Sequence, residues 1–239
     1  MCLADNDFLI GDGVALFIHH YGVHGVQLFF VRLAALFHDV GKPQARTVEV
    51  KQLNPAEGGG SIELIHFLGH EQLSARMTKD ILTRLKYPNA VIDRVCHLIA
   101  QHMFHYEPTW SDAAVRRFIV RIGPGAMDDL FALRRADIYG MHQVQMDAKS
   151  ETARGLVELK DRVRAAEKDK SALSLKDLAV NGKDLMGIGI PAGKQLGLIL
   201  NELFQCVLDD PAMNSRNSLL PVARKLAENY AAVTGKAEA

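Results

Sequence analysis

Nearly all the periodic pattern of apolar residues along this chain has helical spacing, so helices are expected to dominate. Val26–Val40 is almost continuously apolar and predicts a buried helix. Leu73, Met77, Ile81 and Leu82 predict a second over Leu73–Leu85, broken by Pro88-Asn89. Val91, Val95, Leu98 and Ile99 carry the pattern on through Val91–His102. Ser111 is a cap for the next helix, Asp112–Ile122, which Gly123-Pro124-Gly125 ends. Met127–Tyr139 turns Leu130, Leu133 and Ile138 inward. Ala148–Ala172 has one face rich in Lys, Arg and Glu and reads as a solvated helix leading out of a first domain. Two short helical units and a final helix over about Pro221–Val233 complete the tail.

One stretch has a different period. Residues 46–52 and Ser61–His66 alternate apolar and polar positions around Asn54-Pro-Ala-Glu-Gly-Gly-Gly60. That predicts a β-hairpin or a mobile loop. The expected architecture is all-α: a helical bundle over 1–145 with a short hairpin or flap loop, then a smaller helical tail domain over 146–239.

The first apolar helix ends in Phe37-His-Asp-Val-Gly-Lys-Pro43. Neighbouring helical residues point about 100° apart, so His38 and Asp39 reach one object only if it lies between them at the helix end. A divalent cation is such an object, since imidazole and carboxylate are both good ligands. Gly41 and Pro43 stop the helix and present the pair at a mouth. A solvated Asp beside a His favoured by the helix dipole fits the same pair. His70 in Phe67-Leu-Gly-His-Glu71, His102 in Gln101-His-Met and Asp137 in Arg134-Arg-Ala-Asp137 lie in apolar helical runs, where an unpaired polar group is costly to bury. A shared metal would account for them together. For His102 the alternative is a satisfied core histidine, and His97 and His105 read as surface residues.

The order His-Asp, Gly-His-Glu, Gln-His, Arg-Arg-Ala-Asp resembles the HD superfamily of metal-dependent phosphohydrolases. The closer resemblance is to the HD domain and tail of bacterial CCA-adding tRNA nucleotidyltransferases and their poly(A) polymerase relatives. Leu33–Pro43, Phe67–Ala75, Leu133–Gly140 and Leu178–Gly189 carry it, with Asp209-Asp-Pro-Ala-Met-Asn214 near the end. It runs over residues 30 to 225. The resemblance implies a divalent metal (Mn, Ni, Co, Fe, Zn or Mg) on His38, Asp39 and Asp137. His70 and His102 would be further ligands or phosphate donors, and Asp39, His70 and His102 the catalytic set. The pattern also has an earlier histidine about two dozen residues before the His-Asp pair. The candidates here, His19, His20 and His24, lie closer to the pair, and His20 is the choice. Lys42 and Arg135 are candidates for phosphate or substrate; of Arg134 and Arg135, one is expected to orient a carboxylate or clamp phosphate.

The implied activity is hydrolysis of a phosphate monoester or 2′,3′-cyclic phosphodiester of a nucleotide or RNA end, because a cation so held acidifies water and offsets phosphate charge. The alternative is a non-catalytic tRNA- or RNA-binding module; a regulatory domain that binds a nucleotide without turnover is a third. The family's nucleotidyltransferase head needs a Gly-Ser-like turn before paired strand aspartates. Asp5, Asp7 and Asp12 lie in no such context, so nucleotide addition by this sequence alone is not expected.

Charge changes the picture in one respect. Lys and Arg number 28 and Asp and Glu 28, so no net field draws in nucleic acid, and any tRNA binding is expected to be weak. Cys2, Cys96 and Cys206 are scattered without metal-ligand spacing, no apolar run spans a membrane, and the N-terminus has no basic leader; the expected location is the cytoplasm.

Overall fold

The computed structural model of the chain describes residues 25–53, 59–142, 151–168 and 173–234. In chain order the elements are α1 (Gly25–Phe37), a single turn α2 (Lys42–Ala45), β1 (Thr47–Gln52), β2 (Ser61–His66), α3 (His70–Arg84), α4 (Asn89–Gln101) and α5 (Asp112–Ile122). They continue with α6 (Met127–His142), α7 (Glu151–Lys168), α8 (Gly182–Gly187), α9 (Lys194–Asp209) and α10 (Arg216–Thr234). The described residues form two compact units. One holds the chain up to His105 together with Gly125–Leu156; the other holds Tyr106–Pro124 and the chain from Val157 onward.

In the first unit α1 packs on α4 and α6. Val31 and Ala34 of α1 meet a core made by Val95, Leu98 and Ile99 of α4 and Leu130, Phe131 and Leu133 of α6, all buried. Arg94 of α4 reaches α6 through Asp129, with its Nε 3.0 Å and Nη2 2.6 Å from the same carboxylate oxygen.

The buried stripe of α3 is not the one its apolar residues mark. Leu73, Met77 and Ile81 are only half-buried, whereas His70, Ser74, Thr78 and Leu82 face inward. Their spacing of four places them on one line along the helix. The cause is a close approach. A Cβ built on Gly41 would lie 2.8 Å from the backbone nitrogen of Ser74. Only short side chains on that line admit the turn after α1, and the Gly41 N–H donates to the Ser74 hydroxyl at 2.9 Å.

The alternating segment is a hairpin. β1 and β2 pair antiparallel, with Val48 opposite Ile65 and Glu49 opposite Leu64. All of β1 is exposed. The hairpin joins α2 to the start of α3.

The second unit has its own core. Leu185, Ile199, Leu203, Phe204, Val207 and Leu219 are buried together from α8, α9 and α10. Ser111 caps α5, its hydroxyl accepting from the Ala114 N–H at 3.2 Å. Gly123, at φ 80°, ends that helix. Arg116 of α5 donates to the carbonyls of Leu208 at 2.7 Å and Asp209 at 3.0 Å. These belong to the last turn of α9, whose carbonyls have no partner within the helix.

The final helix begins at Arg216, ahead of the expected Pro221, which lies inside it. Proline is favoured at a first turn because it lacks an N–H. Here Ser215 provides the start: its hydroxyl accepts from the Ser218 N–H at 3.1 Å and its carbonyl from the Leu219 N–H at 2.9 Å. Of the two short units expected before this helix, α8 is short at 6 residues, but α9 runs to 16. No described helix is long and apolar enough to cross a membrane.

Leu203 has no exposed surface and sits amid the second core. Leu203→Ala is expected to cost about 2–5 kcal/mol. Urea unfolding followed by far-UV circular dichroism should show the loss as a lower midpoint; an unchanged midpoint would contradict this packing.

Candidate metal centre

Four helical elements of the first unit bring together the side chains that share a chemistry. His38 and Asp39 stand in the turn just after α1, His70 is the first residue of α3, His102 caps the end of α4, and Asp137 lies within α6. Gly69, at φ 74°, makes the left-handed turn that starts α3 at His70. Thus one glycine sets where α3 begins, and Gly41 sets how near it comes to the His-Asp turn.

The three histidines are held alike. Each donates its Nδ1–H to the backbone carbonyl three residues back: His38 to Ala35 at 2.8 Å, His70 to Phe67 at 2.7 Å and His102 to Ile99 at 2.7 Å. A carbonyl only accepts, so Nδ1 carries the proton and Nε2 is left for another partner. The His102 ring lies edge-on to both others, with centroids 5.1 Å from His38 and 5.3 Å from His70.

The carboxylates complete the ring. His38 Nε2 is 3.3 Å from Asp39 Oδ2 and 3.4 Å from Asp137 Oδ1. His70 Nε2 is 3.3 Å from Asp39 Oδ1. Neither of those last two atoms has a hydrogen-bond partner, and both are buried. Two lone-pair atoms, out of water and facing each other, are what a cation would satisfy. One ligand atom each from His38, Asp39 and His102 lies within 4.8 Å of the others. Imidazole and carboxylate donors in this number suit a divalent transition metal.

Electrostatics agree with that arrangement. Burial lowers the affinity of His38 for a proton, but the hydrogen bonds to Asp137 and Asp39 outweigh it and raise its pKa to about 10. Burial would raise both carboxyl groups; instead His38 with Lys42 holds Asp39 well below the usual carboxylate range, and His38 with Arg134 lowers Asp137. Burial keeps His102 below its ordinary value, helped by the neighbouring His38. His102 is therefore neutral, the form that ligates.

Lys42 is in the cluster: its Nζ is 2.7 Å from Asp39 Oδ2 and sits 5.8 Å from the centre of the Phe67 ring. Arg134 donates to Asp137 Oδ2 at 2.8 Å, leaving Oδ1 turned to His38. Arg135, the residue singled out from sequence, lies about 100° round the same helix. His105 is exposed and His97 half-buried. His20 lies outside the described residues. Sequence reasoning gave no sign of Ser74. Only its place four residues after His70, on the line that faces the Gly-containing turn, could have marked it.

The comparisons bear out the resemblance to tRNA nucleotidyltransferases. The family tRNA nucleotidyltransferase domain 2 matches residues 63–223. The A-adding tRNA nucleotidyltransferase of Deinococcus radiodurans is 32% identical over 201 residues, covering 77% of this chain and 42% of that protein. The CC-adding tRNA nucleotidyltransferase of Thermus thermophilus is 31% identical over 175 residues, covering 73% of this chain and 35% of that protein. The multifunctional CCA protein of Cupriavidus necator is 30% identical over 134 residues, covering 54% and 29%. The chain thus spans less than half the length of each of these relatives. No solved structure matches. With two thirds of its residues inside the match, the chain belongs to the tRNA nucleotidyltransferase domain 2 family.

Proposed function

We propose that the first unit is a metal-dependent phosphohydrolase domain of the HD type, acting on a phosphate monoester or a 2′,3′-cyclic phosphodiester of a nucleotide or RNA end. The observation that carries this reading is the buried, unpartnered pair Asp39 Oδ1 and His70 Nε2 within a ring of three histidines and two aspartates. His38, Asp39, His70, His102 and Asp137 would hold the metal. A divalent cation there supplies Lewis acidity toward phosphate and a nucleophile at neutral pH.

The chain's own residues have the following parts. The backbone carbonyls of Ala35, Phe67 and Ile99 fix the imidazole tautomers and their aim. Arg134 steadies Asp137 through one oxygen and leaves the other to the centre. His70 keeps its Nε2 lone pair without a protein donor and turned to Asp39 Oδ1, as a further ligand would. Lys42 screens Asp39 and is placed to turn to a phosphate oxygen.

A second role, tRNA contact by the tail, is supported by the family match, which runs through Leu178–Gly189 to residue 223. The Deinococcus radiodurans and Thermus thermophilus relatives are named for adding nucleotides to tRNA. Net charge is zero, so we infer few phosphate contacts and weak binding.

Three outcomes are expected. Elemental analysis of the purified chain should find a divalent metal, and Asp39→Asn should remove it. Hydrolysis across a panel of 2′,3′-cyclic and monophosphate nucleotides should fall by more than about 100-fold in that variant, beyond what loss of a supporting contact costs; Arg134→Ala should fall by about 10–100-fold. Full activity in Asp39→Asn with unchanged helix content would sink the reading.

The second outcome concerns protons. His38 in the metal-free chain has its pKa raised from 6.5 to about 10, so its ion pairs stabilise the fold fully below 6.5 and lose that effect as pH rises through 10. At pH 7 a cation must displace that proton. Titration calorimetry with Mn²⁺ in buffers of different ionisation heat should show about one proton released, and metal affinity should rise with pH. Uptake without proton release would place the metal elsewhere.

Third, the chain should bind tRNA with micromolar or weaker affinity at physiological salt, on the order of non-specific binding. Lys183→Glu should reduce the slope of log K against log salt by about 1. Nanomolar, salt-insensitive binding would make RNA recognition, not hydrolysis, the main role.

A further inference from the structure

The second unit contains a cleft that shares no residue with the His/Asp cluster. It lies between α5 and the later part of α7 and encloses about 460 Å³. Among the described residues Arg116, Arg162 and Lys168 line it, with Asp112 the one acid. Three cations against one carboxylate leave a formal excess of two positive charges in a concave site, in a chain whose net charge is zero. Concave walls focus such a field.

The two guanidinium groups are already fixed. Arg116 is anchored by the carbonyls of Leu208 and Asp209, which accept hydrogen bonds and carry no charge to neutralise it. Arg162 donates to the Tyr106 hydroxyl at 3.3 Å and to Asp112 Oδ1 at 2.6 Å. Each guanidinium carries five N–H donors, and these bonds use two of them on each group. Little ordering entropy then remains to be lost when an anion arrives. Lys168 is exposed and ends α7. Val115 and Ala166 supply a short-chained apolar wall. Fixed forks of donors suit a phosphate group. A volume of this size admits more than the phosphate alone.

We propose that this cleft binds a phosphorylated small molecule of about nucleotide size, with its phosphate on Arg116, Arg162 and Lys168 and its organic part against Val115 and Ala166. The site is independent of the hydrolase reading.

The test uses the full chain stripped with chelator, in an Asp39→Asn background, so that phosphate held at the His/Asp centre does not contribute. Adenosine 5′-monophosphate, inorganic phosphate, adenosine and a 5′-hydroxyl hexauridylate are titrated by calorimetry. Arg116 is left intact because it also closes α9. Lys168→Glu and Ala166→Glu lie at or near the surface and are checked for unchanged helix content. The expected result is binding of the monophosphate and, more weakly, of phosphate, with none for adenosine. Each variant should weaken monophosphate binding by at least about tenfold, the worth of a hydrogen bond to a charged group. Binding of the hexauridylate alone, lost in both variants, would replace the small ligand by an RNA backbone phosphate and overturn the assignment. So would monophosphate affinity unaltered in both variants, or no binding by the parent chain.

Discussion

The turn after α1 approaches the first turn of α3 so closely that a single methyl group at Gly41 would meet backbone at 2.8 Å. The geometry of the His/Asp cluster depends on that approach. The turn carries His38 and Asp39; the helix carries His70. The Gly41 N–H bond to Ser74 fixes the two in register, and Asp39 Oδ1 then stands 3.3 Å from His70 Nε2. Ser74 and Thr78 occupy the inward line of α3 because that line must stay short, and the longer Leu73 and Met77 are turned partly to solvent. Some apolar burial is given up to bring these polar atoms together, the kind of local sacrifice expected at functional sites.

Burying this many ionisable groups would be costly if each stood alone. The cluster avoids the cost by alternation. Asp39 lies between His38 and Lys42, and Asp137 between His38 and Arg134. Each carboxylate has a cation on one side, and one oxygen of each faces the centre. The same pattern makes the centre ready for a metal. His38 would give up a proton to an entering metal, whereas His102 is already neutral.

Helices with a conventional apolar stripe or a local stop were legible in the sequence. Asp112–Ile122 was bounded correctly because Ser111 and Gly123 act within one turn of their own backbone. The His-Asp pair and the separate His70, His102 and Asp137 were legible as polar residues in apolar runs. What was not legible depends on contacts between distant segments. The inward face of α3 is set by Gly41, more than thirty residues away. The choice of Arg134 over Arg135 is set by helix phase relative to His38, which no spacing within Leu133–Gly140 reveals. The cleft of the second unit needs α5 beside α7, about fifty residues apart. Pro221 misled because a local rule favours proline at a helix start, and Ser215 provided a start earlier in the chain.

The tail shows how a family signature divides between fold and surface. In Asn181-Gly-Lys-Asp-Leu-Met186, the Asn181 side chain accepts from the N–H groups of Lys183 and Asp184, and Asp184 accepts from the Asn181 N–H at 2.9 Å. Asp184 also pairs with Arg216 at the start of α10. Leu185 is wholly buried in the second core. Asn214 adds a further tie, donating to the Asp177 carbonyl at 2.9 Å and accepting from the Ala179 N–H at 2.8 Å. Most of the motif is therefore committed to capping and packing, so its presence speaks first for the fold. The parts left to meet a partner are Lys183 and Met186, both exposed. One cation on a six-residue helix gives little affinity by itself. If the tail contacts tRNA, the strength must come from cations elsewhere on the chain, and Lys183 would help to set position.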